Sequence, residues 1–491
     1  MAALLVAGTT LAKTPSPTAA SRIKAIVHHE FGSPDVLQLE EVDKPVPNDD
    51  QILIKVRAVS VNPLDWHFME GTPYIGRPLA FGFFKPTVAR LGVDYAGTVE
   101  AVGKNPAAAG EFKPGDEVYG NKFGAFAEYV VATDKSLDLK PATLTFEQAA
   151  SLPVAALTAL QALRDQGKIQ QGQKVLINGA SGGVGTFAVQ IAKSFGAEVT
   201  GVCSGRNVEM VRSLGADHVI DYTKENFTRR TERYDLIIDN VGNQPLSGFR
   251  RVLTARGKYV AVGGGGVNDS RWTGPLIGVV KMLLLKPFAT QEMKMMLAEM
   301  SRKDLAILSD LIQTGKVKPV IDRTYTFSQL PEAMRYLEEG HARGKVVVTV
   351  GDNIEPLAAS ANRAPGSASA SSPVLVAFDL IAIPIAILIV PIGAAFVLNR
   401  RFKRRNPDKR GYRWGYYFSI MSLIVGLVLG AFLESGTTVV IVCGVIYAVL
   451  AWCFAQRHHW AWIALTILSF NPIAWIINAI YLRKRWAEAA P

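Results

Sequence analysis

The feature of this chain that most restricts its fold is a glycine-rich segment at residues 179–185. The five residues before it, 174–178, form a short apolar run typical of a buried strand. The residues after it are apolar at helical spacing, and Gly196 is placed to end that helix. Such a turn lets the backbone approach a pyrophosphate, and the helix N-terminus supplies free N–H groups. The sequence therefore predicts a dinucleotide site, with a purely structural turn as the alternative, at Gly179, Ala180, Ser181, Gly182, Gly183, Val184 and Gly185.

Strand-like and helix-like segments alternate after this turn, which predicts a parallel sheet covered by helices on both faces. A helix over 146–166 precedes the alternation, and a helical stretch around 291–313 follows it. We therefore predict a doubly wound Rossmann lobe over residues 149–319. Its further predicted strands are residues 198–203, 217–220, 235–239 and 258–262.

The residues after the second strand of this lobe indicate which dinucleotide it takes. A site that prefers NAD usually has Asp or Glu there to hold the ribose 2′-hydroxyl. This chain has Ser204 and Arg206 instead, and Glu198 lies at the other end of the strand. Both side chains suit a 2′-phosphate, so NADPH is the predicted cofactor. The alternative is that Arg206 is a solvated charge at a helix start.

The residues before and after the Rossmann lobe predict one β-rich lobe, over 22–148 and 320–351. Turn signals such as residues 113–116 separate its short strands. After residue 319, strands at 324–327 and 345–350 flank a helix with Pro331 near its start and Gly340 past its end. The predicted strands of the first part are residues 23–28, 52–59, 97–102, 117–119 and 128–131.

Five ordered segments resemble the zinc-independent branch of the medium-chain dehydrogenases/reductases, the quinone oxidoreductase-like and enone reductase enzymes. The segments are VNPLDW at 61–66, LGVDYAG at 91–97, LPVAALTA at 152–159, the glycine turn, and LGAD at 214–217. The resemblance implies a GroES-like catalytic lobe packed on the Rossmann lobe, with the nicotinamide between them. It implies that Thr158 lies near the nicotinamide and Tyr222 near the adenosine phosphate, with ordinary packing as the alternative for both. It also implies that Gly242 and Gly263 follow later strands along the cofactor.

The residues of the first lobe disfavour a zinc site. A catalytic zinc takes three Cys, His or carboxylate ligands, and residues 22–148 hold no cysteine and only His28, His29 and His67. Hydride donation to an already electrophilic enone or quinone is then more plausible than alcohol oxidation. Asn62 and Asp65 lie where the family lines its substrate cleft, and Asn62 would bond a carbonyl oxygen as charge develops. The alternative for both is a structural Asx-Pro turn.

The C-terminal quarter predicts an α-helical transmembrane region at 374–486, joined by a flexible linker at 352–373. Its apolar segments, at 374–398, 416–433, 438–455 and 460–482, have lengths that suit membrane helices. A buried soluble bundle is the alternative. This tail holds two of the three cysteines, which fit no disulfide framework. It also carries 12 Lys and Arg against 4 Asp and Glu, whereas the rest of the chain shows no basic face of the kind that binds nucleic acid.

The charges of the tail set its predicted orientation. The loop 399–414 carries eight Lys and Arg, which predicts a cytoplasmic loop. Four simple spans would then place the reductase outside, where NADPH is scarce. Asp379, Pro384 and Pro391 make the first segment a candidate re-entrant hairpin, which keeps the reductase on the cytoplasmic side. The number of spans stays open. Residues 1–21 are predicted to be a disordered leader rather than a signal peptide.

Together these patterns predict a membrane-tethered NADPH-dependent reductase of quinones or α,β-unsaturated carbonyls, which acts without zinc. Its expected partners are a small-molecule acceptor, a lipid bilayer and a second copy of the chain. One alternative is a catalytically idle module that senses NADPH. Another is a transport or membrane-interaction protein whose tail carries the function.

Overall fold

The computed structural model describes residues 21–357 except 75–76, 83, 106–110, 263–281, 283–289 and 353. These residues belong to the first of two units, Met1–Ala361 and Asn362–Pro491. The predicted leader, up to residue 20, and the predicted membrane region lie outside the described residues. Within the described ranges, no helix combines the length and the apolar character that crossing a membrane requires.

The first lobe is built on a seven-stranded sheet. Six of its strands lie in the order β14-β15-β3-β4-β5-β7, and the seventh, β6, pairs with β3. A two-stranded sheet, β1 with β2, packs beside it. The early strands are β1 (Arg22–Val27), β2 (Gln38–Asp43), β3 (Ile52–Val61), β4 (Asp94–Val102), β5 (Glu117–Asn121), β6 (Tyr129–Ala132) and β7 (Leu137–Leu139). The late strands, β14 (Ile321–Thr326) and β15 (Lys345–Thr349), complete the sheet because β15 pairs antiparallel with β3.

The second lobe is a six-stranded parallel sheet with order β10-β9-β8-β11-β12-β13. The chain enters at β8, runs outward to one edge, and then crosses to the other half. This reversal beside β8 is the switch point at which such folds bind ligands. The strands are β8 (Lys174–Asn178), β9 (Glu198–Cys203), β10 (His218–Asp221), β11 (Tyr234–Asp239), β12 (Leu253–Val262) and β13 (Glu292–Met296). The predicted α/β class, a β-rich lobe with a Rossmann lobe, is confirmed.

Helices cover the sheets and place apolar side chains between them. The helix after the glycine turn buries Phe187 and Ile191 against the sheet, and Gly196 follows its end with φ +77. The described α-helices are Pro63–Glu70, Phe146–Ala150, Pro153–Gln161, Gly183–Ser194, Val208–Ser213, Leu246–Val252, Arg302–Gln313 and Leu330–Glu338. Single π-helical turns occur at Arg77–Phe81 and Ala162–Gln166, and short 3-10 turns link other elements.

Two predicted helices differ from the structure. The helix predicted over 146–166 is divided after Ala150, because Pro153 begins a new helix at a position where proline needs no N–H partner. The helix predicted around 291–313 begins only at Arg302, and Glu292–Met296 forms strand β13. The methionines and the lysine of this segment favour a helix locally, but pairing with β12 at the sheet edge overrides that preference.

The linker predicted to begin at residue 352 also differs from the structure. Asp352 forms ion pairs with Lys55 at 2.7 Å and Arg57 at 3.1 Å. Ile354 is buried in the core of the first lobe, and its carbonyl accepts a hydrogen bond from Lys24. Burial of the isoleucine contributes about 1.5–3 kcal/mol. Leu357 packs, partly buried, against the same core, so the lobe extends at least to Leu357.

Candidate active site

The glycine turn leaves no room for side chains at its tightest point. Gly179 has φ +76, and a Cβ on Gly185 would lie 2.0 Å from the Gly179 carbonyl oxygen. The amide of Gly182 donates to that same oxygen at 3.1 Å. Gly182 caps the helix Gly183–Ser194, whose first-turn amides have no partner one turn earlier. The turn thus forms a cradle of backbone N–H groups that fits a dinucleotide pyrophosphate.

A cavity of about 480 Å³ lies at the far end of this turn. It brings together the predicted Ser204, Arg206 and Tyr222, the last of them half exposed. Arg206 reaches across to donate to the carbonyl oxygen of His341 at 2.9 Å. The cavity is lined by Ser204, Gly205, Arg206, Asp221, Tyr222, Thr223, Lys224 and His341.

Three residues of this end of the site were missed in the sequence. Asn207 donates to the hydroxyls of Ser181 and Ser204, at 3.0 and 3.2 Å, and so joins the glycine turn to the cavity. Lys224 adds a second cation to the cavity. Asp221 adds an anion, and hydrogen bonds from Thr223 lower the pKa of its carboxyl. The sequence gives little indication of these three residues, because they join the site only where the ends of neighbouring strands come together in the fold.

Strand β11 ends in Asp239, which organises the loop that carries Gly242. Its Oδ1 accepts the N–H of Gly242 at 3.0 Å and the side-chain amide of Asn178 at 2.8 Å. Its Oδ2 accepts the Tyr259 hydroxyl at 2.7 Å. Gly242 has φ +70 and lies beside the glycine turn, since a Cβ on Gly179 would meet Val241 at 2.6 Å. Gly263 lies outside the described residues.

Asp65 is fully buried at the start of helix Pro63–Glu70. Its Oδ2 accepts the backbone N–H of Asn62 at 2.9 Å, and its Oδ1 accepts that of Gly92 at 3.0 Å. Burial raises the pKa of this carboxyl to about 7, although both hydrogen bonds act in the opposite direction. Both oxygens are therefore engaged in shaping the turn, and this contact pattern fits the structural alternative to the predicted catalytic role.

Asn62 is also buried, and its carboxamide is engaged on both sides. The Nδ2 atom donates to Asp94 at 3.0 Å and to the Ser60 carbonyl at 3.3 Å. The Oδ1 atom accepts from Lys345 Nζ at 2.6 Å. These partners hold the turn rather than present the amide to a substrate carbonyl.

Asp94 and Lys345 complete this buried network, and neither was predicted from the sequence. Asp94 accepts from the Ser60 hydroxyl at 2.8 Å and from the backbone N–H of Val154 at 2.9 Å. Lys345 Nζ lies 3.4 Å from the same carboxylate. Burial lowers the pKa of Lys345, with Asp94 and then Asp65 opposing the shift. In sequence both are isolated charges at the start of an apolar strand, a pattern that ordinarily indicates a solvated strand end.

Thr158 lies on helix Pro153–Gln161, four residues after the N–H that Asp94 binds. It is 7% exposed, and its hydroxyl donates to the Val154 carbonyl at 2.6 Å. This contact is an ordinary helical back-bond. The position beside the nicotinamide stays a prediction.

The three histidines of residues 22–148 have other partners. His28 is buried between the carbonyls of Val88 and Glu30, at 2.7 and 3.2 Å, and desolvation lowers its pKa. His29 pairs with Glu40 at 2.8 Å, and His67 stacks on Trp66. Among the described residues, no three His, Cys, Asp or Glu side chains are grouped so that they could hold a metal ion.

Comparison with known proteins matches both lobes. A family model described as an alcohol dehydrogenase GroES-like domain matches residues 48–142, and one described as a zinc-binding dehydrogenase matches residues 214–348. The mouse mitochondrial NAD(P)H oxidoreductase RTN4IP1 is 37% identical over an alignment of 360 residues, which covers 66% of this chain and 89% of that protein. Tomato 2-methylene-furan-3-one reductase is 37% identical over an alignment of 343 residues, which covers 67% of this chain and 79% of that protein.

A structural relative shows the same arrangement. The quinone oxidoreductase from Coxiella burnetii has a TM-score of 0.58 and 33% identity, and the match covers 67% of this chain and all of that one. The fold and the glycine cradle thus define a two-lobed oxidoreductase that uses a nicotinamide cofactor. The chain belongs to the medium-chain dehydrogenase/reductase family, in its zinc-independent, quinone oxidoreductase-like branch.

Proposed function

We propose that this chain is an NADPH-dependent reductase that transfers hydride to a quinone or to the carbon–carbon double bond of an α,β-unsaturated carbonyl. The observation that carries the proposal is the continuity of the site. The glycine cradle, the bridge through Asn207 and the cationic cavity form one path from a pyrophosphate to a ribose phosphate. Relatives named for quinone, alkenal/one and furanone reduction indicate the acceptor class.

The preference for NADPH rests on the charges in the cavity. Arg206 and Lys224 supply two cations, and Ser204 and Tyr222 supply hydroxyls, around the place expected for a 2′-phosphate. Asp221 opposes them, but it lies at the end of β10 rather than at the end of β9, where an NAD site has its acidic residue. Lys224 lies 3.6 Å from the Asp221 carboxylate and offsets its charge, so Arg206 supplies the net positive charge for a dianionic phosphate.

The buried contacts of this chain indicate which roles belong to the cofactor and which to the protein. Bound nicotinamide would supply the hydride, and the protein would supply orientation and electrostatics. Asn62, Asp65 and Asp94 fix the turn that borders the acceptor side, whereas the Asp239 loop orders the cofactor side. No zinc is needed for this chemistry, because an enone or a quinone is already electrophilic. Solvent is the proposed proton source, since both oxygens of Asp65 are engaged.

We further propose that the apolar segments after residue 373 tether this reductase to a membrane, with the reductase on the cytoplasmic side. One support is the composition of those segments. Another is a chloroplast envelope quinone oxidoreductase homolog from Arabidopsis thaliana, 34% identical over 325 residues. A tethered enzyme would have access to lipid-soluble acceptors. Full-length protein should remain with membranes in high salt, whereas release by salt alone would exclude an integral tether.

We expect a second copy of the chain to bind at strand β13. Among the described residues this strand is an edge of the parallel sheet, and the exposed Leu297 and Met300 lie within four residues after it. Unpaired edge strands readily add a partner strand. Analytical ultracentrifugation of the full-length protein should therefore show a dimer, and a Leu297→Glu variant should shift it to monomer.

The central test is a turnover screen of the full-length protein with NADPH against water-soluble quinones, alkenals and enones. We expect NADPH oxidation that depends on at least one of these acceptors and survives dialysis against a strong chelator. Absence of turnover with every acceptor, despite tight NADPH binding, would favour a nucleotide-binding module without catalysis. Activity that is lost on chelation and restored by zinc would contradict the zinc-independent chemistry.

A further inference from the structure

Strand β15 returns to the glycine turn from the other lobe, and its backbone meets that turn. Gly344, just before β15, forms a parallel bridge with Gly182. Gly344 has φ +105, and a Cβ there would lie 2.4 Å from the Val320 carbonyl oxygen. Only glycine fits this crossing, so the backbone that precedes Lys345 is fixed against the cofactor cradle.

The side chain of Lys345 continues this contact into the interior. Lys345 is 4% exposed, and its Cδ lies 3.0 Å from the place where a Cβ on Gly183 would be. Its ammonium then reaches Asn62 Oδ1 at 2.6 Å and Asp94 Oδ2 at 3.4 Å. One side chain therefore touches the cradle with its stem and the turn of the substrate lobe with its charge.

The charge of Lys345 is linked to the second lobe through its partner Asp94. That carboxylate, itself fully buried, also binds the N–H of Val154 at the start of the helix that carries Thr158. A buried ammonium is costly unless it is paired and hydrogen-bonded. Here the pairing joins three parts of the site: the glycine turn, the Asn62 turn and the Thr158 helix.

We propose that Lys345 is a positioning residue that holds the glycine turn of the nucleotide lobe in register with the Asn62 turn of the substrate lobe. This inference rests on the proposed reductase function and adds a residue to its machinery. Loss of the ammonium leaves Asn62 Oδ1 without its donor and Asp94 without its cation. Cofactor and acceptor then meet with less defined geometry, and hydride transfer is highly sensitive to such displacement.

The first measurement needs no catalysis. Hydrogen–deuterium exchange of full-length, cofactor-free protein follows peptides that contain residues 60–66 and 179–186. In Lys345→Met we expect both peptides to exchange at least about tenfold faster than in the wild type. The matched control is Lys140→Met, which removes another lysine whose side chain is only 5% exposed and forms an ion pair, to Glu117 at 3.0 Å, away from the glycine turn. In this control neither peptide should change.

The second measurement uses turnover and deuterium-labelled NADPH. In Lys345→Met we expect kcat to fall about tenfold to a hundredfold. The kinetic isotope effect on hydride transfer should rise, and the NADPH Kd should stay within about threefold. Unchanged exchange and unchanged kcat in a folded variant would overturn the proposal. So would a weakened NADPH Kd with full kcat at saturation, which would make Lys345 a simple cofactor contact.

A conservative variant covers the case in which Lys345→Met fails to fold. Lys345→Arg keeps a cation near Asp94, but its planar guanidinium does not reproduce the compact ammonium between Asn62 and Asp94. We expect faster exchange of both peptides and a smaller loss of kcat than with methionine. Wild-type exchange and kcat in this variant would overturn the proposal. Failure of the wild type itself to reduce any acceptor would count against the proposed function, while the exchange result still decides the role of Lys345.

Discussion

The hydroxyl of Tyr119 lies 2.9 Å from the hydroxyl of Ser309 and also donates to the Leu305 carbonyl at 3.0 Å. Tyr119 belongs to β5 of the first lobe, whereas its partners belong to helix Arg302–Gln313, which packs on the second. The ring is completely buried, so its polar end joins the lobes in a place closed to water. The two lobes are thus held by polar contacts within their shared core as well as by apolar packing.

A Tyr119→Phe variant should therefore unfold more easily, by about 1–2 kcal/mol, because a buried hydrogen bond is lost and its partners stay buried. Urea unfolding measured by fluorescence checks this value. Tyr95→Phe is the matched control, since Tyr95 is equally buried and its hydroxyl has no hydrogen-bond partner among the described residues. Removing that hydroxyl should leave the free energy of unfolding unchanged or raise it. Equal destabilisation by both variants would show that the hydrogen bonds of Tyr119 add nothing to stability.

Arg206→Ala should reduce the preference for NADPH. We expect wild-type protein to bind NADPH at least tenfold more tightly than NADH, which requires only about 1.4 kcal/mol. The variant should lose most of that ratio through a higher NADPH Kd, and Lys224→Ala should lose part of it. Arg212→Ala is the control, because this arginine pairs with Glu209 outside the cavity. Equal wild-type constants for the two cofactors, measured by fluorescence titration, would refute the preference.

Gly185→Ala should abolish dinucleotide binding. Its new Cβ would lie 2.0 Å from the Gly179 carbonyl oxygen, so the turn would have to open and lose its N–H cradle. We expect the NADPH Kd to rise by about a hundredfold or more, which corresponds to about 2.8 kcal/mol. Gly351→Ala controls for the exchange itself, since nothing lies within 4 Å of a Cβ there. Wild-type affinity in Gly185→Ala would show that the cofactor does not use this turn.

The Asp65 carboxyl should make stability depend on pH. Its pKa is raised from 3.8, the ordinary value for an aspartate, to about 7 in the folded protein. The protonated form is therefore favoured by folding, and the associated stability is present below about pH 4 and lost as the pH rises through about 7. Relative to Asp65→Asn, the wild type should lose up to about 1.4 kcal/mol per pH unit in that window. Parallel stability profiles of the two proteins, from urea unfolding between about pH 4.5 and 8, would contradict this expectation.

Truncation should distinguish the two possible ends of the first lobe. A chain that ends at Leu357 keeps the Asp352 ion pairs and buried Ile354, whereas one that ends at Gly351 loses both. We expect the shorter chain to be less stable by about 2 kcal/mol or more, mostly from the lost burial of Ile354. Both chains should retain turnover on a water-soluble quinone. Identical unfolding midpoints would show that residues 352–357 contribute nothing to the lobe.

The sequence is sufficient for the features that depend on local pattern. The glycine turn, the strand before it and the helix after it all follow from neighbouring residues, so they are predictable without tertiary information. Strand β13 is not, because its methionines fit a helix equally well and only the free edge of β12 selects a strand. The docking of Ile354 is hidden in the same way, within a segment whose composition resembles a linker.

The residues of the site likewise divide into those that local sequence predicts and those that only the fold brings together. Ser204 and Arg206 follow a strand that the sequence reveals, whereas Lys224 and Asn207 join them only through the packing of adjacent elements. Asn62 and Asp65 are conspicuous in a motif, yet their contacts are with Asp94, Gly92 and Lys345. The buried network arises because β15 lies antiparallel to β3, a pairing between residues almost 300 positions apart. That register cannot be predicted from the local sequence.

The antiparallel pairing of β3 with β15 also sets an order for synthesis. The ribosome delivers β3, β4 and β5 long before β15 exists, with the whole six-stranded sheet between them. The inserted lobe therefore has its strands available and can fold while β3 still presents an open edge. The outer lobe closes only when the chain around residue 345 emerges. Until then a nascent chain carries an apolar strand with part of one edge unpaired, the type of surface that molecular chaperones bind.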